Sequence, residues 1–468
     1  MLTIRAAVVW LNLLLAASAS AQQLSPAERA RIDSSALTIL RTTQAPSASI
    51  AVVRGGQIVY EQAYGTARVN PTTAATPSMR YAIGSVSKQF TATAILMLAE
   101  QGKLSLTDKV AKWFPQLTRA SQVDIAQLLS MTSGYQDYWP QDYVFPDMQR
   151  PATTTSIMQR WAGKPLDFDP GTKWQYSNTN YVIAAAIVER VSGMPFMEFL
   201  RQRIFTPLGM SSVADFDAGP LGPSDAAPYL RNALGPLRLA PKEASAWLFG
   251  AGQLAMTAHD LALWNIAVMN RKLLNAEGYI KQQSEVLLQN GKAAGYGLGV
   301  SIGLVNGRRR ISHGGAVSGY TTSNQVFPDD GVAIVVFTNI YPGAAGAPGQ
   351  IAQRIAEILF APADTAGAAH VAQARRIYDG LMKGTIDRAL FTPGANAYFT
   401  EQVLSDYAVS LASLGPPTEF SGGGSGTLRG GMTIRSYQIR AGNVTMQLTT
   451  MTMPDGKIDQ YIIERAGD

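Results

Sequence analysis

Residues 296–307 read YGLGVSIGLVNG, and the fold turns on how this stretch is taken. Gly299-Val300-Ser301-Ile302-Gly303 matches Gly-x-Ser-x-Gly, the pattern of a nucleophile elbow, in which a sharp strand-to-helix turn exposes a serine. An elbow needs a helix directly after the serine. Here the chain runs on as Leu-Val-Asn-Gly, a strand end and a hairpin turn, so Ser301 is predicted to point from one face of an antiparallel sheet. The pattern fixes only three positions, and among 43 glycines a chance match carries little weight.

Working outward from there, apolar alternation continues through RRRISH, YTTSNQVF and VAIVVFTNI, separated by Asn306-Gly307, Gly314-Gly315 and Asp329-Asp330-Gly331. Short connections of this kind join antiparallel strands, and Pro348–Phe360 has the spacing of a closing helix. Toward the N-terminus, Pro26–Thr42 is helical in pattern, and SASIAVVRGGQIVYEQAYG is a hairpin around Arg54-Gly55-Gly56. Ser85–Gln101 is predicted as a helix stopped by Gly102. From about Val110 to Asn290 the pattern is mostly helical, broken at turns such as Asp169-Pro170-Gly171 and Gly235-Pro236. Within it, Thr257 and Asp260 form a helix start that makes His259 a first-turn surface residue. Strands at both ends with helices between predict an α/β (α+β) fold, one antiparallel sheet flanked by helices and carrying a helical insertion.

Residues 22–360 are assigned to this domain. Ala361–His370 (APADTAGAAH), small and polar, is expected to be a linker. Residues 371–468 are expected to form a separate accessory α+β domain, with helices to about Ser413 and then three or four antiparallel strands. It is weakly similar to cystatin-like or NTF2-like folds and holds no catalytic constellation.

The 468 residues are 46% hydrophobic and 15% charged, with mean hydropathy near zero, which suits a globular chain with more than one core. The net charge of +6 is scattered, with Arg308–Arg310 the one tight run, so no nucleic-acid partner is expected. With no cysteine there can be no disulfide or thiolate metal site, and three dispersed histidines do not suggest zinc; no cofactor or metal is expected. Residues 1–21 hold one arginine, an apolar run and Ala19-Ser20-Ala21, the form of a cleavable signal peptide. The run Ala6–Ala17 is shorter than the roughly 20 residues that span a bilayer. The mature protein is therefore expected in the periplasm or outside the cell, with no transmembrane segment.

A second serine competes with Ser301. In Gly84-Ser85-Val86-Ser87-Lys88, a helix opening at Ser85 places Lys88 one turn on and on the same face, so that its amine reaches the hydroxyl. The helix N-terminus favours negative charge on Ser85. Burial would lower the lysine from its ordinary value of about 10.4 and free a neutral amine. Ser-x-x-Lys alone occurs by chance about twice in a chain of this size, and a capping serine with a solvated lysine is the plain alternative. Company strengthens it: Tyr176-Ser177-Asn178 supplies a phenol and an amide ahead of an apolar helix, and His313-Gly314-Gly315 supplies a strand edge of small residues.

These three motifs occur in order among LLSMTSGY (Leu128–Tyr135), PGTKWQYSNTNYVIAAAIVERVSG (Pro170–Gly193), FTPLGM (Phe205–Met210), AGQLAMTAHDLALW (Ala251–Trp264) and GGAVSGY (Gly314–Tyr320). On them, the chain from about Leu24 to Phe360 resembles the penicillin-recognising serine hydrolases, in the group of class C β-lactamases, DD-carboxypeptidases, D-aminopeptidases and esterases. The resemblance implies a β-lactamase/transpeptidase-like fold and an acyl-enzyme on Ser85, with Lys88 and Tyr176 shuttling its proton in an order left open. It implies that Asn178 orients the substrate amide and that the amides of Ser85 and Ala316 form an oxyanion hole. His313, Gly314 and Gly315 stand where many members have Lys-Thr-Gly. That change removes a permanent cation and a hydroxyl suited to a substrate carboxylate, and it is similar to D-aminopeptidase-like and esterase-like members.

The expected function is hydrolysis of an amide or ester in a small-molecule or peptide substrate, with D-amino-acid peptides as the leading class. A carboxylesterase or weak β-lactamase is the alternative, and a non-catalytic penicillin-binding or sensor protein the rival from another class. The loop Gln136–Gln149 is expected to contribute an aromatic wall to the acyl pocket.

Overall fold

The computed structural model describes residues 23–141, 143–305, 307–360, 365–423 and 426–466; the expected signal peptide, 1–21, lies outside them. The chain divides into two compact units, 1–359 and 360–468.

The first unit opens with α1 (Pro26–Thr43), started by a capping box in which Ser25 and Glu28 satisfy each other's backbone N–H, with proline at the first position. The hairpin follows as β1 (Ser47–Arg54) and β2 (Gln57–Arg68), with a short β3 (Thr73–Ala74) on the outer edge. The remaining strands come from far along the chain: β4 (Ser301–Val305), β5 (Arg308–Val317), β6 (Tyr320–Phe327) and β7 (Val332–Thr338). The seven-stranded sheet runs β3-β2-β1-β7-β6-β5-β4, every neighbour antiparallel. Its seam joins β1 to β7, with Ile50 opposite Val336 and Val52 opposite Ile334.

Both central strands are buried on both faces, which is why their sequences read as near-continuous apolar runs rather than alternations. Ala51, Val53, Val335 and Phe337 join one large core with helices α2 (Lys88–Glu100), α3 (Asn178–Ser192) and α4 (Ala258–Met269). The alternate residues Ile50, Val52, Ile334 and Val336 are equally buried. By the two-residue period of a strand they face the other layer, in which α5 (Ala347–Leu359) packs on α1 and on β7.

The helical insertion is less helical than its pattern. Between α2 and α3 the helices are short, such as Ile125–Leu129 and Thr154–Ile157, the latter running on as a π-helix to Ala162, and 209–256 is mostly loop with two- or three-residue strands. Prolines and glycines cut the apolar spacing before a long helix can propagate. At α4, Thr257 caps by accepting from the Asp260 amide, and His259 lies at the surface beside Glu61.

The second unit contains α6 (Thr365–Leu381) and two further helices, Pro393–Tyr398 and Glu401–Ala412. Five antiparallel strands follow, three of them long: Met432–Ala441, Val444–Thr452 and Ile458–Arg465. Tyr378, Leu381, Phe399, Ile439, Leu448 and Tyr461 build its core. The linker expectation fails over Thr365–His370, which is the first part of α6. Three alanines in that stretch of the helix outweigh the glycine and small polar residues around them, because alanine is the best helix former.

Candidate active site

Three separated segments converge on Ser85. The first is the chain entering α2. Tyr81–Ala82 pairs with Leu254–Met256, and the Ile83 amide donates to the Leu254 carbonyl at 2.9 Å, which fixes the approach. Gly84–Ser87 then forms one 3₁₀ turn, and the α-helix begins at Lys88, three residues later than the spacing predicted. In a 3₁₀ turn residues i and i+3 eclipse, so the tighter turn stacks Lys88 directly over Ser85. Gly84 makes the turn possible: its φ is +52°, and a Cβ there would lie 2.7 Å from the Ala316 nitrogen.

Lys88 is fully buried. Its Nζ lies 3.0 Å from Ser85 Oγ, 2.7 Å from Asn178 Oδ1 and 2.9 Å from the Ala251 carbonyl, with the rings of Tyr176 and Tyr181 at 4.9 and 5.5 Å. Burial holds its ammonium down to about 7, opposed by the carboxylate of Asp137. Two of the three partners are carbonyl oxygens, which only accept. A neutral amine therefore spends both N–H groups on Asn178 and Ala251 and aims its lone pair at the Ser85 hydroxyl.

The second segment is the start of α3 with the loop that covers it. Asn178 is its first residue; its backbone amide donates to Asp137 Oδ1 at 2.9 Å, and its Nδ2 donates to both carboxylate oxygens at 3.2 and 3.3 Å. Thr179 Oγ1 donates to the Gln136 carbonyl and Ser133 Oγ to Asn180 Oδ1, each at 2.6 Å, so the Ser133–Asp137 loop is stitched to the helix terminus. Burial raises the Asp137 carboxyl, while hydrogen bonds from Asn178 and Trp139 and the charge of Lys88 pull it back. Tyr176 stands beside Ser85, and burial raises its phenol well above the ordinary value.

The third segment is β5. Gly315 packs where a Cβ would meet the Ile83 carbonyl at 1.9 Å and Thr322 Oγ1 at 2.4 Å, so the strand lies close against the Ser85 turn only because this residue is glycine. His313 is buried, and both ring nitrogens are committed within the protein. Nδ1 donates to the Gly314 carbonyl at 2.6 Å, and Nε2 accepts from the Tyr296 hydroxyl at 2.8 Å. Burial first, then the charge of Lys88, holds it down to about 4, so it is neutral near pH 7.

Ser85, Tyr176, Asn178, His313, Gly314, Gly315 and Ala316 line one cleft of about 650 Å³, and Lys88 touches Ser85 from the buried side. Trp139, Pro140 and Gln141 also line it. Tyr138, from the same loop, lines it too while packing against Trp161 and Trp247 and donating to the Trp247 carbonyl, whereas Tyr143 is exposed and outside the lining, so only part of the expected aromatic wall is wall. Sequence reasoning missed Asp137, Tyr296 and the Ala251 carbonyl. Among the described residues no cluster of His, Asp and Glu could hold a metal, and no helix is long and apolar enough to cross a membrane.

This arrangement places a hydroxyl, a buried amine, a phenol and a close strand edge around one opening, and residues 29–357 match the family model for Beta-lactamase. The chain belongs to the Beta-lactamase family. The family places it in the serine hydrolase superfamily, and its similarities are spread across several members. It is 28% identical over 305 residues to penicillin-binding protein 4* of Bacillus subtilis, covering 62% of this chain and 67% of that one. It is 27% identical over 329 residues to the D-aminopeptidase of Brucella anthropi, covering 67% of this chain and 61% of that one. Each match therefore spans about two thirds of the relative's length.

Among solved structures, the octameric penicillin-binding protein homologue from Pyrococcus abyssi superposes with a TM-score of 0.64 at 22% identity, over 94% of this chain and 96% of that one. That coverage runs past residue 360 into the second unit. The D-amino acid amidase of Ochrobactrum anthropi SV3 gives 0.61 at 21% identity over 70% of this chain and 98% of its own. At these identities the structural matches speak for the Beta-lactamase family's mixed α/β fold.

Proposed function

We propose that this protein hydrolyses an amide or ester bond through an acyl-enzyme on Ser85, with D-amino-acid peptides or amides as its substrates. The observation that carries this reading is the 3.0 Å contact between Ser85 Oγ and a fully buried Lys88 whose other two hydrogen-bond partners can only accept. The Ser85 oxygen attacks the substrate carbonyl carbon as its proton passes to Lys88. Tyr176, its phenol held protonated by burial, is the donor side of the pair. The oxyanion meets the backbone amides of Ser85 and Ala316, an arrangement whose donors are each worth about 3 to 4 kcal/mol. The bond to the leaving group then breaks, that group takes a proton through Tyr176, and water repeats the sequence to release the acid.

The D-amino-acid preference rests on the names of two relatives, a D-aminopeptidase and a D-amino acid amidase. It rests also on His313, whose committed nitrogens and low pKa leave no cation to anchor a substrate carboxylate. The signal-like residues 1–21 support action in the periplasm or outside the cell. The test treats the protein with a fluorophosphonate probe and locates the label by mass spectrometry, beside a turnover panel of nitrocefin, p-nitrophenyl esters, D-Ala-D-Ala peptides and D-aminoacyl amides. Label on Ser85 with turnover of D-aminoacyl amides is the expected result. An unlabelled Ser85, or turnover confined to nitrocefin, overturns the reading.

A further inference from the structure

Among the described residues Asp137 is the one acidic residue in the lining of the cleft, and none of the proton transfers proposed for the hydrolysis uses it. Its Oδ1 accepts the backbone amides of Asn178 and Trp139 at 2.9 and 3.2 Å, as well as Asn178 Nδ2. That oxygen is therefore fixed as an acceptor toward the Asn178 side chain. The two ends of an asparagine amide are nearly the same size, and what faces them decides which way it points. With Asp137 on one side, Nδ2 must face the carboxylate, and Oδ1 must face Lys88, where it lies 2.7 Å from Nζ. The reversed amide would set oxygen against oxygen.

The reversal would also disarm the base. With Nδ2 toward Lys88, a neutral amine would accept from Asn178 and lose the lone pair aimed at Ser85. We propose that Asp137 is a positioning residue for the hydrolysis: by locking the orientation of the Asn178 amide, it directs the lone pair of Lys88 onto the Ser85 hydroxyl. This rests on the Ser85–Lys88 reading above. The groups facing Lys88 are Asp137 from the loop, Tyr176 and Tyr181 before and within α3, and His313 from β5.

The experiment compares wild type, Asp137→Asn and Asp137→Ala in the full chain. It measures the rate of fluorophosphonate labelling at Ser85 and the pH dependence of p-nitrophenyl butyrate turnover, an ester with an uncharged acyl group. Asp137→Asn keeps an acceptor for Nδ2 but removes the charge that favours the Lys88 ammonium. It is expected to lose less than about tenfold in kcat, and its acid limb should move to lower pH. Asp137→Ala releases the amide, and labelling and kcat should fall about 10²- to 10³-fold with KM within about threefold. Melting curves and circular dichroism establish that each variant is folded; if Asp137→Ala does not fold, Asp137→Asn and its limb shift decide alone.

Wild-type labelling rates in Asp137→Ala, or an unmoved acid limb in folded Asp137→Asn, overturn the proposal. So does a loss confined to acyl groups bearing an amine, which would make Asp137 a substrate contact. Failure of the wild type itself to label at Ser85 would instead sink the hydrolase reading on which this one stands.

Discussion

Ser85 and Ser301 each sit in a short glycine-containing pattern that advertises a nucleophile, and the molecule treats them in opposite ways. Ser85 sits in a 3₁₀ turn with a buried amine 3.0 Å from its hydroxyl and a cleft in front of it. Ser301 opens β4, the edge strand of the sheet, where its cross-strand neighbour is Ser312, a second hydroxyl. A serine hydroxyl is equally inert at both places until a base shares its proton. The difference teaches that the motif with the better-known spelling lacks the base, and that the commoner Ser-x-x-Lys acquires one through burial.

The largest effect that separates them is expected for Ser85→Ala. Turnover of a short acyl ester should fall roughly 10⁵- to 10⁶-fold, the scale for removing a nucleophile, and fluorophosphonate labelling should vanish. Steady-state kinetics and intact-mass spectrometry check this, and a variant retaining a tenth of the activity would return Ser301 to contention.

The next effect concerns pH. Only the neutral form of Lys88 can take the Ser85 proton, and burial holds that group near 7. Wild-type kcat/KM should therefore rise about tenfold per pH unit below 7 and level off above it. His313, held near 4 by burial, contributes no step in that range. A profile flat from pH 5 to 8 would mean that Lys88 is not the base, and the contrast between the two serines would lose its cause.

Much of the fold was legible because it rests on side-chain pattern. Side-chain pattern and turn residues gave the strands from Ser301 onward, and the run after Ser301 told strand from elbow. The alternating segment begins at Tyr296 but the strand only at Ser301, and Val332–Thr338 is a near-continuous apolar run rather than an alternation. The site was legible where chemistry sits in side chains at short spacing, as with Ser85 and Lys88, or in segments with a recognisable order, as with Tyr176, Asn178 and His313. Asp137 was not, because a single aspartate in a polar loop looks the same whether it faces water or caps α3 beneath a cleft. The Ala251 carbonyl was beyond reach, since every residue carries one. Tyr296 was read as the start of an alternating segment, and only the folded sheet brings its hydroxyl to His313. Thr365–His370 shows the limit of composition, because small residues such as alanine serve linkers and helices alike.

The smallest expected effect is the sharpest test of the comparison. The glycine of GVSIG does have a job near the site: at Gly299, with φ of +77°, a Cβ would lie 2.8 Å from the Lys88 carbonyl and 3.0 Å from the Ala92 side chain. The motif therefore packs against the backbone of α2, and its glycine is explained without any catalytic serine. Ser301 is only half-buried and is two residues further on, in an edge strand where a small side chain is readily exchanged. Ser301→Ala should leave kcat/KM within about twofold and change stability by no more than about 0.5 kcal/mol. Kinetics on the same ester and a urea unfolding curve would measure both. A loss of a hundredfold in activity with unfolding unchanged would show that Ser301 takes part in the chemistry, and the edge strand would have to be regarded as part of the site.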